Sequence, residues 1–231
     1  MDWIAFDKQW LLAFNGSDSV FLDSLVKTLT TATTWIPLYI ALVYIVIKNS
    51  DNLKRVLLVV GCALLCVLLA GTIDDTIVKP LVARWRPARD PEIGVLVDIV
   101  NGYRGGRFGF FSAHASNTFS IAVFISLLVR SRLLTVAMVL WSLLNCWTRL
   151  YLGVHYPGDI LVGLLWGGIV GVSVWFLFTK LEKKAETPMN FISNHYTKTG
   201  YQHEHVEIPV CVMAFTLIYA IVKSCLSLYI Y

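Results

Sequence analysis

Long apolar runs, one after another, constrain this chain more than any other feature. They lie near 21–47, 55–78, 115–130, 133–153, 158–179 and 208–230. A helix that crosses a bilayer needs about 20 mostly apolar residues, since each adds about 1.5 Å of rise to span a hydrocarbon core of about 30 Å. The reading is an all-α, polytopic membrane bundle of six transmembrane helices. The third run is the shortest and opens with Ser116, Asn117 and Thr118. It spans only if that end faces protein or a water-filled cleft, because hydrocarbon offers its polar groups no partner. The first run is long and begins with Asp23 and Lys27, so its start lies in the interface or the helix tilts.

Composition agrees with this reading. The 231 residues are 57% hydrophobic and 15% charged, whereas a soluble domain averages about 45–50% apolar and about 25% charged. No polar segment is long enough to fold by itself. We therefore expect a single domain over 1–231, with a core at 20–180, a loop at 180–207 and an additional C-terminal span at 208–230. The net charge of +4 is modest. Placed in short loops, it reads as topology and anion binding, and no nucleic-acid partner is expected. The five cysteines all fall inside apolar runs and read as small packing residues, with neither zinc nor disulfide spacing. The start Met1-Asp2 lacks a basic region and no cleavage site follows, so no cleavable signal peptide is expected.

Residues 3–14 mix Trp3, Ile4, Phe6, Trp10, Leu11 and Phe14 with Asp7, Lys8 and Gln9, and Asn15-Gly16 stops the pattern. This fits either a short N-terminal helix lying in the membrane interface or a packed cap on the bundle. Two long polar connections remain, 79–114 and 180–207. With six spans, the N-terminus, 79–114 and 154–157 share one side. Lys48, Lys54, Arg55, Arg130, Arg132, Lys180, Lys183, Lys184 and Lys198 lie on the other. Basic loops stay cytoplasmic. We expect 180–207 in the cytoplasm and 79–114 facing the periplasm or exterior of an inner (cell) membrane.

Three polar clusters fall on that one side: Lys79 with Arg86-Pro87, Ser112-Ala113-His114, and Arg149 with His155 and Asp159. Each has a plain structural reading. Lys79 and Arg86 suit snorkelling anchors, two turns apart if the helix continues from the second span, although Pro87 disfavours helical geometry at Arg86 and ends the turn there. Arg84 and Arg89 read as such anchors or as headgroup contacts. Asp75, four residues before Lys79, is placed to pair with it. Ser112 is a plain N-cap, or the start of a phosphate cradle made with the unpaired amides of the following helix. Asp159, four residues after His155 past the Pro157-Gly158 turn, can hold the imidazole and fix its tautomer. Together, three fixed cations, two imidazoles and a carboxylate can bind a phosphate and attack it. Asn117 and Asn145 stand one turn from these clusters, as supports of the site or as interhelical hydrogen bonds. His203-Glu204-His205 reads as a solvated loop or as part of a metal site with no complete ligand set.

The order and spacing of the clusters resemble the signature of the type 2 phosphatidic acid phosphatase (PAP2) superfamily, in its membrane lipid phosphatase branch. That signature runs Lys-x6-Arg-Pro, Pro-Ser-Gly-His, then Ser-Arg-x5-His-x3-Asp. Lys79, Arg86 and Pro87 match the first motif. Ser112 and His114 match the second, with Phe111 for the proline and Ala113 for the glycine. Arg149, His155 and Asp159 match the third, with Thr148 for the serine. The likeness covers roughly 20–180. It implies a lipid phosphatase in which His155 is the nucleophile that forms a phosphohistidine. Asp159 orients it, and His114 serves as acid and then base. Lys79, Arg86, Arg149, Ser112 and the Ala113 amide bind the phosphoryl oxygens. No cofactor and no metal are expected, because three cations can neutralise the charge of phosphoryl transfer and two adjacent carboxylates, Asp74 and Asp75, point to different helix faces. The expected partner is a phosphorylated lipid: a prenyl pyrophosphate, a phosphatidate or phosphatidylglycerophosphate, or a lipid A phosphate. A binder or transporter without chemistry and a lipid phosphotransferase are the alternatives.

Overall fold

The apolar runs fold as helices in the computed structural model, which describes residues 3–182 and 195–229. Lys183 and Lys184 lie outside the described residues. Among those described, no strand forms. Helix starts are chemically marked: Ser19, Asn52, Ser112 and Ser131 each accept a backbone amide three residues on, capping the helices that follow.

The elements are α1 (Trp3–Phe14), α2 (Val20–Thr30), α3 (Ile36–Lys48), α4 (Leu53–Val67), α5 (Lys79–Val82), α6 (Ala113–Val129), α7 (Arg132–Tyr151), α8 (Pro157–Glu182) and α9 (His203–Ser227). Two wide π turns, Leu68–Thr72 and Asp74–Val78, join α4 to α5 as one helical column over Leu53–Val82. Among the described residues, four helices are long and apolar enough to cross a membrane: Leu53–Val82, α7, α8 and α9. The expected first span is instead a pair, α2 and α3, bent by 67° across the 3-10 turn Ala32–Trp35. Counted as one span, the pair makes five. The third expected run is α6, only 17 residues long. The chain is therefore an all-helical, multi-pass membrane protein.

Leu38, Leu42, Ile45, Phe124, Trp141 and Phe178 form the heart of the buried core. The opposite faces are apolar too: Leu64, Leu165 and Phe215 are exposed. A helix apolar all round belongs in lipid. α6 packs most extensively on α8, running alongside it in the same direction. A Cβ on Gly163, Gly167 or Gly171 would stand 2.8, 2.5 or 2.7 Å from the carbonyl oxygens of Ser112, Ser116 and Ser120 respectively. Small residues at four-residue spacing thus let two backbones approach closely. This contact seats Ser112 and His114 on α6 beside Asp159 on α8.

α1 packs as a cap on the bundle and keeps one aromatic face exposed. Leu11 is buried, and Asp7 and Lys8 bond to the bundle. Trp3, Phe6, Trp10 and Phe14 remain exposed, with Phe6, Trp10 and Phe14 in contact along one face.

Candidate active site

Each of the three clusters reaches the site by a different local device. The column ending in α5 stops at Ala83, whose left-handed φ of 50° terminates the helix. Arg86 is therefore extended, as Pro87 after it predicts, and the helix stops short of it, so Arg86 shares no helix face with Lys79. Its backbone amide donates to the Arg107 carbonyl at 3.3 Å instead, turning the side chain inward. The π turns bring Asp74 and Asp75 to a single cation, contrary to the expectation for adjacent carboxylates. Lys79 Nζ lies 2.7 Å from Asp74 and 2.5 Å from Asp75. Asp74 also accepts the Phe111 amide at 3.0 Å, tying the column to the loop just before Ser112.

Ser112 is fully buried and caps α6, and its amide donates to the Asp159 carbonyl at 3.1 Å. His155 sits on the short connector between α7 and α8 and is 2% exposed. Its Nε2 is 3.2 Å from Arg86 Nη1. A guanidinium only donates, so Nε2 carries the lone pair and the ring proton is on Nδ1. That nitrogen lies 3.6 Å from Asp159 Oδ2, beyond hydrogen-bond reach, and has no hydrogen-bond partner among the described residues. Asp159 is held at both oxygens: Oδ2 accepts the Tyr156 amide at 2.9 Å and Oδ1 accepts Arg84 Nη1 at 2.7 Å.

Arg149, at the end of α7, donates to Thr30 Oγ1 at 2.7 Å and to the Tyr103 hydroxyl at 3.3 Å. Its Nε is buried and donates to none of the described residues. His114 has the cations Arg149, Arg86 and Lys79 and the His155 ring as neighbours, so the three clusters meet in one place. Lys79 is neutralised by its carboxylates, whereas neither Arg86 nor Arg149 forms a salt bridge among the described residues. The site's uncompensated positive charge therefore rests on these two arginines. Burial, then Arg86, Arg149 and Lys79, holds the His155 ring well below the ordinary histidine range, so it is neutral near pH 7.

Several participants carried no usable sequence signal. Arg84, which its sequence position marks as an anchor or a headgroup contact, clamps Asp159 and Asp7. Thr30 and Tyr103 hold Arg149 from 119 and 46 residues away. The two asparagines divide. Asn145 bonds within its own helix, to the Trp141 carbonyl, while Asn117 packs against Gly71 on the α4 column with its Oδ1 unpartnered. His205 contacts Asn49 Oδ1 at 3.3 Å and the Tyr44 ring. Among the described residues, no group of three or more His, Cys, Asp or Glu is placed to hold an ion.

Comparison with known proteins agrees with the geometry. The family model described as PAP2 superfamily matches residues 56–183, which contain all three clusters. This chain belongs to the PAP2 superfamily. It is 42% identical over 187 residues to a lipid A 4'-phosphatase of Bacteroides thetaiotaomicron, covering 79% of this chain and 82% of the relative. It is 33% identical over 174 residues to a lipid A 4'-phosphatase of Porphyromonas gingivalis, covering 74% and 72%. A decaprenylphosphoryl-5-phosphoribose phosphatase of Mycobacterium tuberculosis is 38% identical over 98 residues, 42% of this chain and 50% of that protein. No solved structure gave a significant match. The chain is thus a membrane-embedded PAP2-type phosphatase, a phosphoric monoester hydrolase.

Proposed function

We propose that this chain hydrolyses a phosphate monoester of a lipid A-type glycolipid, at the outer face of the inner membrane, through a phosphohistidine on His155. The observation that carries the chemistry is the His155 ring, with its Nε2 lone pair beside Arg86 and its Nδ1 toward Asp159. The substrate class is supported by the two relatives named lipid A 4'-phosphatase, each matched over more than two thirds of its length.

In the first step Arg86 moves from Nε2 to a phosphoryl oxygen, freeing the lone pair. Nε2 attacks phosphorus, and the P–O bond to the lipid oxygen breaks in line. His114, protonated at that stage, gives its proton to the leaving oxygen. Arg86, Arg149, Lys79, Ser112 and the Ala113 amide take the charge on the equatorial oxygens, which is most of what phosphoryl transfer demands. As the ring becomes cationic its Nδ1–H closes on Asp159; catalytic hydrogen bonds are often long before substrate binds. In the second step His114 takes a proton from water, the oxygen attacks phosphorus, and the P–N bond breaks to release phosphate and neutral His155.

The six-span topology belongs to the same proposal: α2–α3 as one bent span and the short α6 as another, its polar start facing the site. Phosphate release in detergent from lipid A, a prenyl pyrophosphate and phosphatidate tests the substrate class. The expected order puts lipid A first, with activity preserved in EDTA and inhibited by vanadate. Equal or faster release from phosphatidate would overturn the lipid A reading. A requirement for Mg²⁺ would overturn the metal-free chemistry.

A further inference from the structure

Asp7 of the N-terminal helix stands at the end of a chain of short bonds that leads to the Asp159 carboxylate. Arg84 is the link. Its Nη1 donates to Asp159 Oδ1 at 2.7 Å and its Nη2 to Asp7 Oδ2 at 2.6 Å, while its guanidinium lies 4.1 Å from the centre of the Tyr156 ring. The other Asp7 oxygen accepts the Gly158 amide at 2.8 Å, in the first turn of the helix that carries Asp159. The bonds therefore close a ring: Asp7, Arg84, Asp159, the start of α8, and back to Asp7. Lys8, the next residue, makes a second tie. It pairs with Asp90 at 3.1 Å, and Asp90 accepts the Tyr156 hydroxyl at 2.7 Å. Two adjacent residues of α1 thus hold the segment from His155 to Asp159 at both ends. Neither lies in the region matched by the family model, 56–183.

We infer that Asp7 and Arg84 are positioning residues for the phosphoryl transfer, and that α1 is the membrane-surface helix that sets the Asp159 carboxylate against His155. A carboxylate rotates freely about its last bond unless both oxygens are held, and a misplaced orienting acid leaves the imidazole in the wrong tautomer or tilt. Arg suits this role because its planar fork engages two carboxylates in fixed geometry, which a lysine ammonium does not. The exposed face with Trp3, Phe6, Trp10 and Phe14 is what a helix in the headgroup region presents to lipid. Anchored there, α1 gives the ring a fixed base.

The inference rests on His155 as the nucleophile, so His155→Ala is assayed beside Arg84→Gln, Arg84→Lys, Asp7→Asn and Asp7→Glu, using phosphate release from a water-soluble aryl phosphate. Outer partners that orient metal ligands carry about 10- to 100-fold in activity, and the same scale is taken for partners that orient Asp159. Arg84→Gln is expected to lower kcat by about that upper figure and Asp7→Asn by about the lower, with vanadate affinity kept within about twofold. The acid limb of the Arg84→Gln pH profile should move to higher pH, since a carboxylate that loses a neighbouring cation ionises less readily. Arg84→Lys and Asp7→Glu should recover part of the rate. If Arg84→Gln fails to bind vanadate, Arg84→Lys and Asp7→Asn decide alone: wild-type kcat in both sinks the inference. So does a normal kcat and unmoved pH profile in Arg84→Gln, even if its melting temperature falls. Activity persisting in His155→Ala defeats the nucleophile assignment instead.

Discussion

Asp159, His155 and the arginines around them make the residue-scale case, and the sequence exposes only part of it. His155 and Asp159 are four apart, and that spacing predicts their approach; the 3.6 Å between Nδ1 and Oδ2 agrees with it. Arg84 was legible only as one more cation in a basic loop, because nothing in its own neighbourhood points to Asp7 or Asp159, 77 and 75 residues away. His155→Ala is expected to abolish nearly all phosphate release while still eluting as a folded protein in detergent, and full activity would sink the mechanism. His114→Ala should be severely impaired, least so in the first step with a pyrophosphate, whose leaving group needs no proton; single-turnover release of the leaving group from a phosphate monoester and a pyrophosphate separates the two. The buried state of His155 also predicts a pH effect on stability. An unfolded histidine takes up a proton near pH 6.5, but the folded ring, held well below that range by burial and then by Arg86, Arg149 and Lys79, does not. The unfolded state therefore binds more protons below about pH 6.5, and stability falls as pH drops from there toward the folded value, by at most about 1.4 kcal/mol per pH unit for this one group. The melting temperature of His155→Ala should depend less on pH than wild type between about pH 6.5 and 5. Parallel curves would show that the ring does not carry the effect.

At the scale of elements, helix existence and type were plain in the sequence and helix irregularity was not. The run at 21–47 gave no reason to expect a 67° bend, since Thr31, Thr33 and Thr34 mark no obvious break and Pro37 sits in a helix start where proline is tolerated. The π turns at Leu68–Thr72 and Asp74–Val78 likewise have no pattern in composition, yet they decide that Lys79 meets both Asp74 and Asp75. Gly163, Gly167 and Gly171 were visible as letters, but their partners Ser112, Ser116 and Ser120 belong to a helix some fifty residues earlier, so only packing reveals the seam. That seam fixes the α6 start against the α8 start, and with it Ser112 and His114 against Asp159. Gly167→Ala places a Cβ 2.5 Å from the Ser116 carbonyl oxygen, and backbone must move. We expect a loss of about 1–3 kcal/mol from overpacking and a drop in kcat as the two helix starts separate. Gly61→Ala is the control: a Cβ there meets nothing within 4 Å, and alanine is the better helix former by about 1 kcal/mol. Thermal unfolding in detergent should lower the first variant's midpoint and leave the second's unchanged or raised. Equal midpoints would mean that the seam is not under close contact.

For the whole molecule, the distribution of paired and unpaired charge between its two ends bears on which end faces which compartment. The segments expected to share the far side do gather at one end. Gln202 donates its amide to Asn49 Oδ1 at 2.9 Å, Thr199 bonds to the Val129 carbonyl at 2.8 Å, and Arg55 pairs with Glu182 at 2.8 Å. The site loops, α1 and the His155 connector gather at the other. A count of cations alone left the two ends in competition, because 79–114 is itself rich in Lys and Arg. Ion pairs resolve much of that competition. At the site end Lys8, Lys79 and Arg84 each hold two carboxylates, Arg86 and Arg149 belong to the phosphoryl site, and Arg89, Arg104 and Arg107 remain without a carboxylate partner among the described residues. At the far end Arg55 alone among the described cations has a carboxylate partner, so Lys48, Lys54, Arg130, Arg132, Lys180 and Lys198 act as free positive charge beside the spans. Free positive charge in short loops is what holds a loop in the cytoplasm. We therefore expect the site end in the periplasm or exterior. Single cysteines at Val95 and Lys198, in a background without native cysteines, read this directly. Val95 is 91% exposed in the site-end loop. A membrane-impermeant thiol reagent on intact cells should label Val95→Cys and spare Lys198→Cys until the cells are opened. The reverse pattern would invert the topology and place the substrate in the cytoplasmic leaflet.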